Sequence, residues 1–581
     1  MSSTTPEQDI SPPRTPALDA IVIGAGFGGM YALHSLRELG LSVRAFDAAG
    51  GVGGTWWWNR YPGARVDFPG GPYYCYTFSE ELVREFDWTE TQPDQQSVLA
   101  YLNHMADKFD LRRDIQLQTR ITGVHYDEVA QRWEVETDAG ARFRAQFLIC
   151  AVGTLSAAHK PNIPGLSTFA GECYHTGHWP QEKIDFSGKR IGIIGTGSSA
   201  VQAIPVIARE AAHLTVFQRT PQYTIPAGNR ALDPASVRQS RENWPHIRHQ
   251  MTESPYGSPF PVPTRSALAD SEAQRQQCYE TEWQKGGLGI FFNTYADILF
   301  DTVANDTLGD FVRGKIRELV KKPAVVEKML PDYYIGTKRL ILNADYYETF
   351  NRDNVTLVDL REDPIEAINS GGIRTRNSEH PLDMLILATG FDAITGSLLR
   401  LNAHGRNNLT LADKWHERFN TYLGLATRGF PNLFMIHGPE SPSVLFNMPL
   451  GAELQVEWIR DCIRYLRDHR LGAIEPAPGV EAAWGQEVAA IADQTLFPQT
   501  DSWYTGANIP GKHRQFAVYL GGPAYYRKLA EAARKGYEGF VLEPAHLVAA
   551  PVEVRAAARR WSTRRDATLR NGKMLKPVLI L

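Results

Sequence analysis

The chain has 581 residues, of which 43% are hydrophobic and 22% are charged, and its formal net charge is −4. This length exceeds what one hydrophobic core holds and predicts about three to four domains at roughly 150 residues each. The ordinary composition excludes general disorder, and the small net charge gives no attraction to nucleic acid, so a small-molecule partner is favoured.

The start of the chain and its cysteines indicate its compartment. Residues 1–17 are polar and rich in proline, without a basic stretch leading into an apolar run, and are predicted to be a disordered tail. No run of about 18 uncharged apolar residues occurs, so no membrane span is predicted. Five widely spaced cysteines without a C-x-x-C pair suggest a reducing compartment and no zinc site. We therefore expect a cytoplasmic protein without a metal.

A first glycine motif follows the apolar strand predicted at residues 18–23. The strand leads into Gly24, Gly26, Phe27 and Gly29 and then a helical pattern, and the next strand ends in Asp47. Strand, glycine turn, helix and acid together indicate a dinucleotide site, because the turn brings backbone close to a pyrophosphate and the acid binds ribose hydroxyls. The alternative is an ordinary tight turn, which explains the glycines but not the complete pattern.

A second glycine motif follows the strand predicted near residues 189–194, and the strand after its helix ends in Gln218 and Arg219. An arginine where an NAD site carries an acid suits a 2′-phosphate, so NADPH is favoured over NADH. The alternative is a surface arginine that closes a strand. The turn residues of this motif are Gly195, Thr196, Gly197, Ser198, Ser199 and Ala200.

Two dinucleotide sites in one chain imply hydride transfer from a nicotinamide to a flavin. No two cysteines lie close in sequence, so a disulfide reductase is disfavoured and oxygen or an organic molecule becomes the acceptor. We predict an α/β fold with two Rossmann-like domains, for FAD and NADP, and a helical insertion in the NADP domain. The predicted boundaries are 1–17 for the N-terminal tail, 18–155 and 386–545 for the FAD domain, 156–224 and 335–385 for the NADP domain, 225–334 for the insertion, and 546–581 for a basic C-terminal extension.

The stretch FAGECYHTGHWP lies between the two motifs and has neither helical nor strand periodicity. Its Phe169, Gly171, His175, Trp179 and Pro180 match the fixed positions of the fingerprint of Baeyer–Villiger monooxygenases, which the chain resembles over roughly residues 18–545. The alternative, a packed linker, explains aromatic residues but not the ordered match. Similar segments follow in the same order as in the family: GGVGGTWWWNRYPGARVD, GTKRLIL, LATGFDA and SWYTGANIPGK.

The resemblance implies that NADPH reduces FAD, that the reduced flavin captures O2 as a peroxyflavin, and that its attack on a ketone gives an ester or lactone through a tetrahedral adduct. Arg339 matches the catalytic arginine and Asp67 the acid that positions it. We hypothesise that His175 and Trp179 form the hinge between the two domains, with His175 as a hydrogen-bonding organiser. Beyond the two glycine motifs and their strand ends, the implied cofactor-binding residues are Thr55, Trp56, Trp57, Trp58, Arg65, Asp67, Tyr73, Ile121, Lys338, Arg339, Asp392, Met448 and Trp503. The implied substrate contacts are Leu445, Phe446 and Met448.

The chain departs from the family pattern at several positions. Asp47 stands where glutamate is common, Glu440 replaces a more usual glycine, and Phe446 adds bulk beside Met448. These departures leave the substrate open, although a cyclic or bulky ketone is expected. Two other functions stay open as well: a flavin monooxygenase that oxidises sulfur or nitrogen and does not need Arg339, and a flavin protein that carries electrons to a partner. The predicted partners are a ketone and O2, with no nucleic acid, and the oligomeric state is open.

Overall fold

The computed structural model describes residues 17–68, 73–258 and 260–546. The tails predicted at 1–17 and 546–581 lie outside these ranges except for Ala17 and His546. Within the described residues the chain forms a mixed eight-stranded sheet with a parallel core, a parallel five-stranded sheet, helices around both, and three small sheets.

The first sheet is built around a parallel core with the order β6-β1-β2-β3, and β18 pairs parallel with β6. The antiparallel strands β4 and β5 continue from β6 toward the edge strand β17. The strands are β1 (Ala17–Ile23), β2 (Val43–Phe46), β3 (Ile115–Gln116), β4 (Ile121–Asp127), β5 (Arg132–Thr137), β6 (Arg142–Cys150), β17 (Ala403–His404) and β18 (Leu433–Met435).

The second sheet has five strands, all parallel, in the order β12-β9-β8-β16-β7. They are β7 (Glu172–His175), β8 (Arg190–Ile194), β9 (His213–Gln218), β12 (Val355–Asp359) and β16 (Met384–Leu387). The small sheets comprise β10 (Thr224–Pro226) with β11 (Ile341–Asn343); β13 (Ile365–Asn369), β14 (Gly372–Thr375) and β15 (Glu379–Pro381); and β19 (Leu471–Pro476) with β20 (Phe540–Pro544). The predicted α/β class is confirmed.

The helices surround these sheets. They are α1 (Phe27–Glu38), α2 (Thr55–Trp58), α3 (Glu80–Glu85), α4 (Gln95–Lys108), α5 (Ser198–Glu210), α6 (Pro234–Glu242), α7 (Trp244–Glu253), α8 (Glu272–Lys285), α9 (Gly289–Phe292), α10 (Thr302–Leu319), α11 (Pro323–Met329), α12 (Tyr346–Thr349), α13 (Gly396–Leu399), α14 (Leu411–Lys414), α15 (Met448–Asp468), α16 (Val480–Ala492) and α17 (Ala524–Arg534).

The two glycine turns use the same geometry. Gly24 follows β1 with φ +111°, and Gly195 follows β8 with φ +105°, a backbone conformation that favours glycine. A Cβ on Gly24 would collide with the carbonyl oxygen of Ala151, and one on Gly195 with that of Ala388. These alanines lie just after β6 and β16, at the start of the two segments in which the chain passes from one sheet to the other. We call these the crossing segments (from residue 151 to β7 and from residue 388 to β17), and each glycine turn packs against one of them.

The segment predicted as one helical insertion divides between two hydrophobic cores. Trp244, Ile247 and Met251 recur at helical spacing on α7 and are buried with the core of the first sheet. Tyr279 and Trp283 on α8 are buried with the core of the second sheet. The insertion therefore contacts both domains, although its sequence interrupts only the second.

Candidate active site

The two glycine turns face a common cavity of about 1220 Å³. Its volume exceeds the roughly 300–1,000 Å³ of a typical single-ligand pocket. Predicted site residues that line it are Gly24, Gly26, Phe27, Asp47, Thr55, Trp56, Trp58, Arg65, Asp67, Ile121, Gly197, Ser198, Ser199, Lys338, Arg339, Leu445, Phe446, Met448 and Trp503. Predicted residues outside the lining are Gly29, Trp57, Tyr73, His175, Gly195, Thr196, Ala200, Gln218, Arg219 and Asp392.

The first turn presents the N-terminus of α1 to the cavity, and no side chain of the described residues caps it. Asp47 accepts hydrogen bonds from the backbone N–H groups of Ala25 (2.7 Å) and Ala49 (2.8 Å). Burial raises the pKa of Asp47, although these two hydrogen bonds oppose the shift. An uncapped helix N-terminus attracts a pyrophosphate, and Asp47 stands beside it as a ribose acceptor. The residues of this turn fit a dinucleotide such as FAD.

The second turn is arranged alike at the N-terminus of α5, which has no side-chain cap within the described part of the chain. A Cβ on Gly197 would meet no atom of the residues that the structure describes within 4 Å, so this turn borders open space in which a pyrophosphate fits. Burial lowers the pKa of Lys338, and the nearby positive charge of Arg219 lowers it further. Two neighbouring cations create a site for an anion, which fits the 2′-phosphate of NADPH.

Arg339 and Asp67 form a bidentate ion pair in the cavity wall. Arg339 Nε donates to Asp67 Oδ2 at 2.8 Å and Nη2 donates to Oδ1 at 2.7 Å. Burial alone would lower the pKa of the Arg339 guanidinium, but the Asp67 charge and hydrogen bonds outweigh it and the pKa is raised. This arginine is therefore a fixed cation at every physiological pH.

Two further groups hold the same guanidinium. Nη1 donates to the carbonyl oxygen of Val444 at 3.2 Å, within the 3₁₀ turn Ser443–Leu445. The buried Tyr504 side chain lies close enough to Arg339 for each group to shift the pKa of the other. Burial raises the pKa of Tyr504 to about 12, with the Arg339 charge opposing, so the phenol stays protonated. The arginine thus joins the Asp67 loop to the segment that carries Leu445 and Phe446.

His175 lies behind the cavity, where the chain crosses between the sheets. The Gly177 N–H donates to His175 Nδ1 at 2.9 Å, so the ring proton is on Nε2. Nε2 lies 3.3 Å from the His159 carbonyl oxygen and 3.3 Å from Thr389 Oγ1. Burial lowers the pKa of His175 to about 4, which keeps the ring neutral. The ring therefore links both crossing segments without carrying charge.

Two of the predicted cofactor-binding residues, Gln218 and Asp392, bond to other parts of the protein. Gln218 is buried, and its amide donates to the Lys328 carbonyl oxygen at 2.7 Å rather than lining the cavity. Asp392 pairs with Lys512 Nζ at 2.5 Å, which holds the segment after β16 to the loop before α17.

A buried polar atom without a partner indicates what the cavity accepts. Asn508 lines the cavity and donates its Nδ2 to the Phe391 carbonyl oxygen at 2.9 Å. Its Oδ1 is buried and has no hydrogen-bond partner among the described residues. Such an atom is costly unless a bound group donates to it, so Asn508 fits a cofactor with an amide or hydroxyl donor.

Comparisons with known proteins agree with this geometry. A family model described as pyridine nucleotide-disulphide oxidoreductase matches residues 21–242. The chain is 44% identical to a Baeyer–Villiger monooxygenase of Pseudooceanicola batsensis over 90% of this chain and 96% of that protein. It is also 44% identical to the phenazine N-monooxygenase PhzNO1 of Lysobacter antibioticus, over 91% of this chain and 98% of that one. The solved structure of an oxidised steroid monooxygenase bound to NADP superposes with a TM-score of 0.86 at 47% identity, over 91% of this chain and 99% of that chain.

The chain belongs to the Baeyer–Villiger monooxygenase family. The predicted fold, with FAD and NADP domains, and the predicted FAD- and NADPH-dependent monooxygenase class are confirmed. The reaction class, conversion of a ketone to an ester or lactone, is confirmed too. No helix among the described residues is long and apolar enough to cross a membrane. The cytoplasmic location stays a prediction.

The Baeyer–Villiger resemblance did not indicate several groups around Arg339. Tyr504 follows the predicted Trp503 directly, yet nothing in its sequence context marks it as an arginine ligand. The Val444 carbonyl is a backbone atom, so residue type carries no signal for it. Gln202 on α5 bonds to the Tyr61 hydroxyl at 2.9 Å and to the Arg65 carbonyl oxygen at 3.2 Å, which ties the loop before Asp67 to the second domain.

Proposed function

We propose that this enzyme oxidises a bulky or cyclic ketone and that Arg339 is the cation beside the reacting oxygens. The observation that carries the proposal is the Arg339–Asp67 ion pair in the wall of a cavity shared by both glycine turns. When bound, NADPH would supply the reducing equivalents and FAD would pass them to O2.

The contacts of Arg339 suit stabilisation of a negative oxygen. A guanidinium has five N–H groups, and three of them are directed at Asp67 and the Val444 carbonyl. Of the other two, one has Tyr504 nearby, so at least one remains for a substrate oxygen that gains charge as the ketone is attacked. A preorganised donor of this kind contributes on the order of 100- to 1000-fold in rate. Asp67 fixes its direction and cannot supply the charge itself.

Lys338 and Arg219 are proposed to hold the 2′-phosphate of NADPH. Lys338 lines the cavity, and Arg219 is exposed at the end of β9, from which it lowers the Lys338 pKa. His175 and Trp179 are proposed to set the angle between the two domains. The Trp179 side chain is buried in the second core, while the backbone N–H of Trp179 donates to the Trp58 carbonyl oxygen of the first domain at 3.3 Å.

The cavity wall favours an apolar substrate of some size. The insertion contributes Tyr256, Phe291 and Phe292, and the segment beyond Val444 contributes Leu445 and Phe446. Burying apolar surface against such a wall stabilises binding by about 25 cal/mol per Å², so a large ketone gains more than a small one. The volume beyond the cofactors is proposed to hold the ketone.

Oxidation at nitrogen is the second candidate. The 44% identity to a phenazine N-monooxygenase supports it, at the same level as the Baeyer–Villiger relative. An electrophilic oxygen transfer to nitrogen leaves no tetrahedral oxyanion on a substrate carbon. Arg339 would then be dispensable for the second half of the reaction.

A substrate panel with one variant separates the two. Purified protein with FAD, NADPH and air would be given cyclic ketones of graded ring size, a steroid ketone and an aromatic nitrogen heterocycle, with products identified by mass. We expect esters or lactones with one added oxygen, the lowest KM among the larger ketones, and loss of these products in Arg339→Ala. An N-oxide as the main product, formed at an equal rate by Arg339→Ala, would contradict the proposal.

A further inference from the structure

Glu440 is a buried acid that the proposed chemistry does not use. It lies in the segment after β18 with φ +67°, a backbone conformation rare for a residue with a side chain. The residue is 0% exposed, although glutamate is seldom fully buried. On α16, Gly485 leaves room for it, because a Cβ there would lie 3.0 Å from Glu440 Oε1.

Glu440 connects three segments. Its Oε2 accepts from the Thr421 N–H at 2.9 Å and lies 2.8 Å from Thr421 Oγ1, and its Oε1 accepts from Gln515 Nε2 at 3.2 Å. Its backbone N–H donates to the Ala517 carbonyl oxygen at 2.8 Å, and its own carbonyl accepts from Trp484 Nε1 at 3.2 Å. Five contacts therefore fix the start of the segment that continues to Val444.

The Thr421 hydroxyl indicates where a proton is. Thr421 Oγ1 lies 2.9 Å from the Pro439 carbonyl oxygen as well as 2.8 Å from Glu440 Oε2. A hydroxyl has one hydrogen, so it donates to only one of these two oxygens. If the hydroxyl donates to Pro439, a proton on the carboxyl completes the second bond by donating to Oγ1. When Glu440 is protonated, both contacts of Thr421 Oγ1, to the Pro439 carbonyl and to Glu440 Oε2, contain a hydrogen. When Glu440 is ionised, one of these two contacts contains none.

The charged surroundings agree with a protonated carboxyl. Burial raises the pKa of Glu440 to about 7, the Thr421 hydrogen bonds and the Arg418 charge oppose the shift, and the Glu481 charge adds to it. Glu481 is itself paired with Lys414 Nζ at 2.9 Å. The carboxyl therefore changes charge near neutral pH.

We propose that Glu440, with its carboxyl protonated, is a positioning residue that fixes the segment 440–446 and so holds the Val444 carbonyl on Arg339 and Leu445 and Phe446 against the ketone. This inference rests on the proposed function. Ionisation would place a charge in a buried site where no described residue forms a direct ion pair with it, and the segment would relieve this by moving. The ketone contacts would loosen while the NADPH site, formed by other segments, would not.

The test measures kcat and KM for a ketone, and KM for NADPH, from pH 6 to pH 8.5. In the wild type we expect the ketone KM to rise about three- to tenfold across pH 7 with an unchanged KM for NADPH, as one ionisation coupled to binding produces. Glu440→Gln keeps an acceptor for the Thr421 N–H and cannot ionise, so its ketone KM should be flat. Glu440→Ala should show a high ketone KM at every pH.

A matched control is Glu453→Gln. Glu453 is also fully buried, its pKa is raised to about 8 by burial, and it hydrogen-bonds Thr77, but it lies on α15 outside the cavity lining. This variant should keep the step near pH 7. A Glu440→Gln enzyme with the same rise in ketone KM as the wild type would overturn the proposal.

Two further measurements test the proposal if the Glu440 variants do not fold. Thr421→Val removes the hydroxyl that lies 2.8 Å from the Glu440 carboxyl, so the pH of the step should shift, and an unmoved step would overturn the proposal. The thermal unfolding midpoint, measured without ketone, should depend less on pH between 5 and 8 in Glu440→Gln than in the wild type. A wild type that oxidises no ketone contradicts the proposed function instead, while the unfolding comparison still tests the carboxyl.

Discussion

Arg339 keeps its charge because Asp67 compensates for its burial. Without the carboxylate, desolvation would lower the arginine pKa, and the bidentate pair reverses this effect. An arginine is also the side chain that cannot transfer its proton to a neighbouring oxygen anion at neutral pH. At the residue scale, the site is therefore a fixed positive charge with a fixed direction.

Lys338 provides a test of cofactor choice. Lys338→Ala removes one of the two cations proposed for the 2′-phosphate, a group that NADH lacks. We expect the KM for NADPH to rise roughly 10- to 100-fold, as for loss of a charge-assisted hydrogen bond, with little change in the KM for NADH. Lys328→Ala is the control, because Lys328 pairs with the exposed Glu362. Equal losses with both cofactors in steady-state kinetics would contradict the assignment.

Glu453 makes stability depend on pH. Burial raises its pKa to about 8, above the ordinary value for glutamate. The folded protein then binds a proton that the unfolded chain releases, so the stabilisation is complete below the ordinary pKa and is lost as pH rises toward 8. At roughly 1.4 kcal/mol per pH unit, we expect the contribution of Glu453 to the free energy of unfolding to fall by about 3 to 5 kcal/mol from pH 5 to pH 8.5. The free energy of unfolding of the wild type, relative to that of Glu453→Gln, should fall by this amount between the two pH values.

At the scale of elements, β7 contains part of the sequence fingerprint and connects the two crossing segments. The strand is the edge of the second sheet, and His175 at its end contacts His159 and Thr389, one on each crossing segment. The fingerprint was predicted from residue order, but its strand pairing was not, because ECYH shows no alternation of apolar and polar residues. Pairing with the parallel strand β16 holds this segment as a strand, although its own sequence shows no strand pattern.

His175 provides a test of that connection. His175→Ala removes the link between the crossing segments, so we expect slower ester formation and more hydrogen peroxide released per NADPH consumed. Because the ring is neutral above about pH 4, the pH profile between 5.5 and 8 should keep its shape. His175→Asn, whose amide oxygen can accept from the Gly177 N–H, should restore part of the yield. Normal ester yield and peroxide release in His175→Ala would dismiss the role.

For the whole molecule, local sequence predicted the elements and much less of their assembly. The strand, glycine and helix order at Gly24 and Gly195 was readable because a positive φ beside a neighbouring carbonyl demands glycine. The apolar spacing of α7 indicated a helix, yet it could not tell which core would bury Trp244. Asp67 and Arg339, 272 residues apart, were paired through the family resemblance, since no local pattern specifies so distant a contact.

The same limit explains the residues that were missed. Tyr504 and Val444 reach Arg339 only because the loop before α17 and the segment after β18 meet beside it. The sequence shows Glu440 as a departure from the family pattern, but its burial and its contacts to Thr421 and Gln515 depend on the folded chain. Backbone carbonyls and contacts between distant loops are not encoded by residue type.

A double-mutant cycle on Arg339 and Asp67 tests the central claim most directly. Ester formation would be measured in the wild type, Arg339→Ala, Asp67→Ala and the double variant, with flavin absorbance as the control for folding and FAD binding. We predict that Arg339→Ala lowers kcat on the order of 100- to 1000-fold and that removing Asp67 from that variant lowers it no further. Full ketone oxidation by Arg339→Ala, or an equal loss from Asp67→Ala with and without the arginine, would contradict the account.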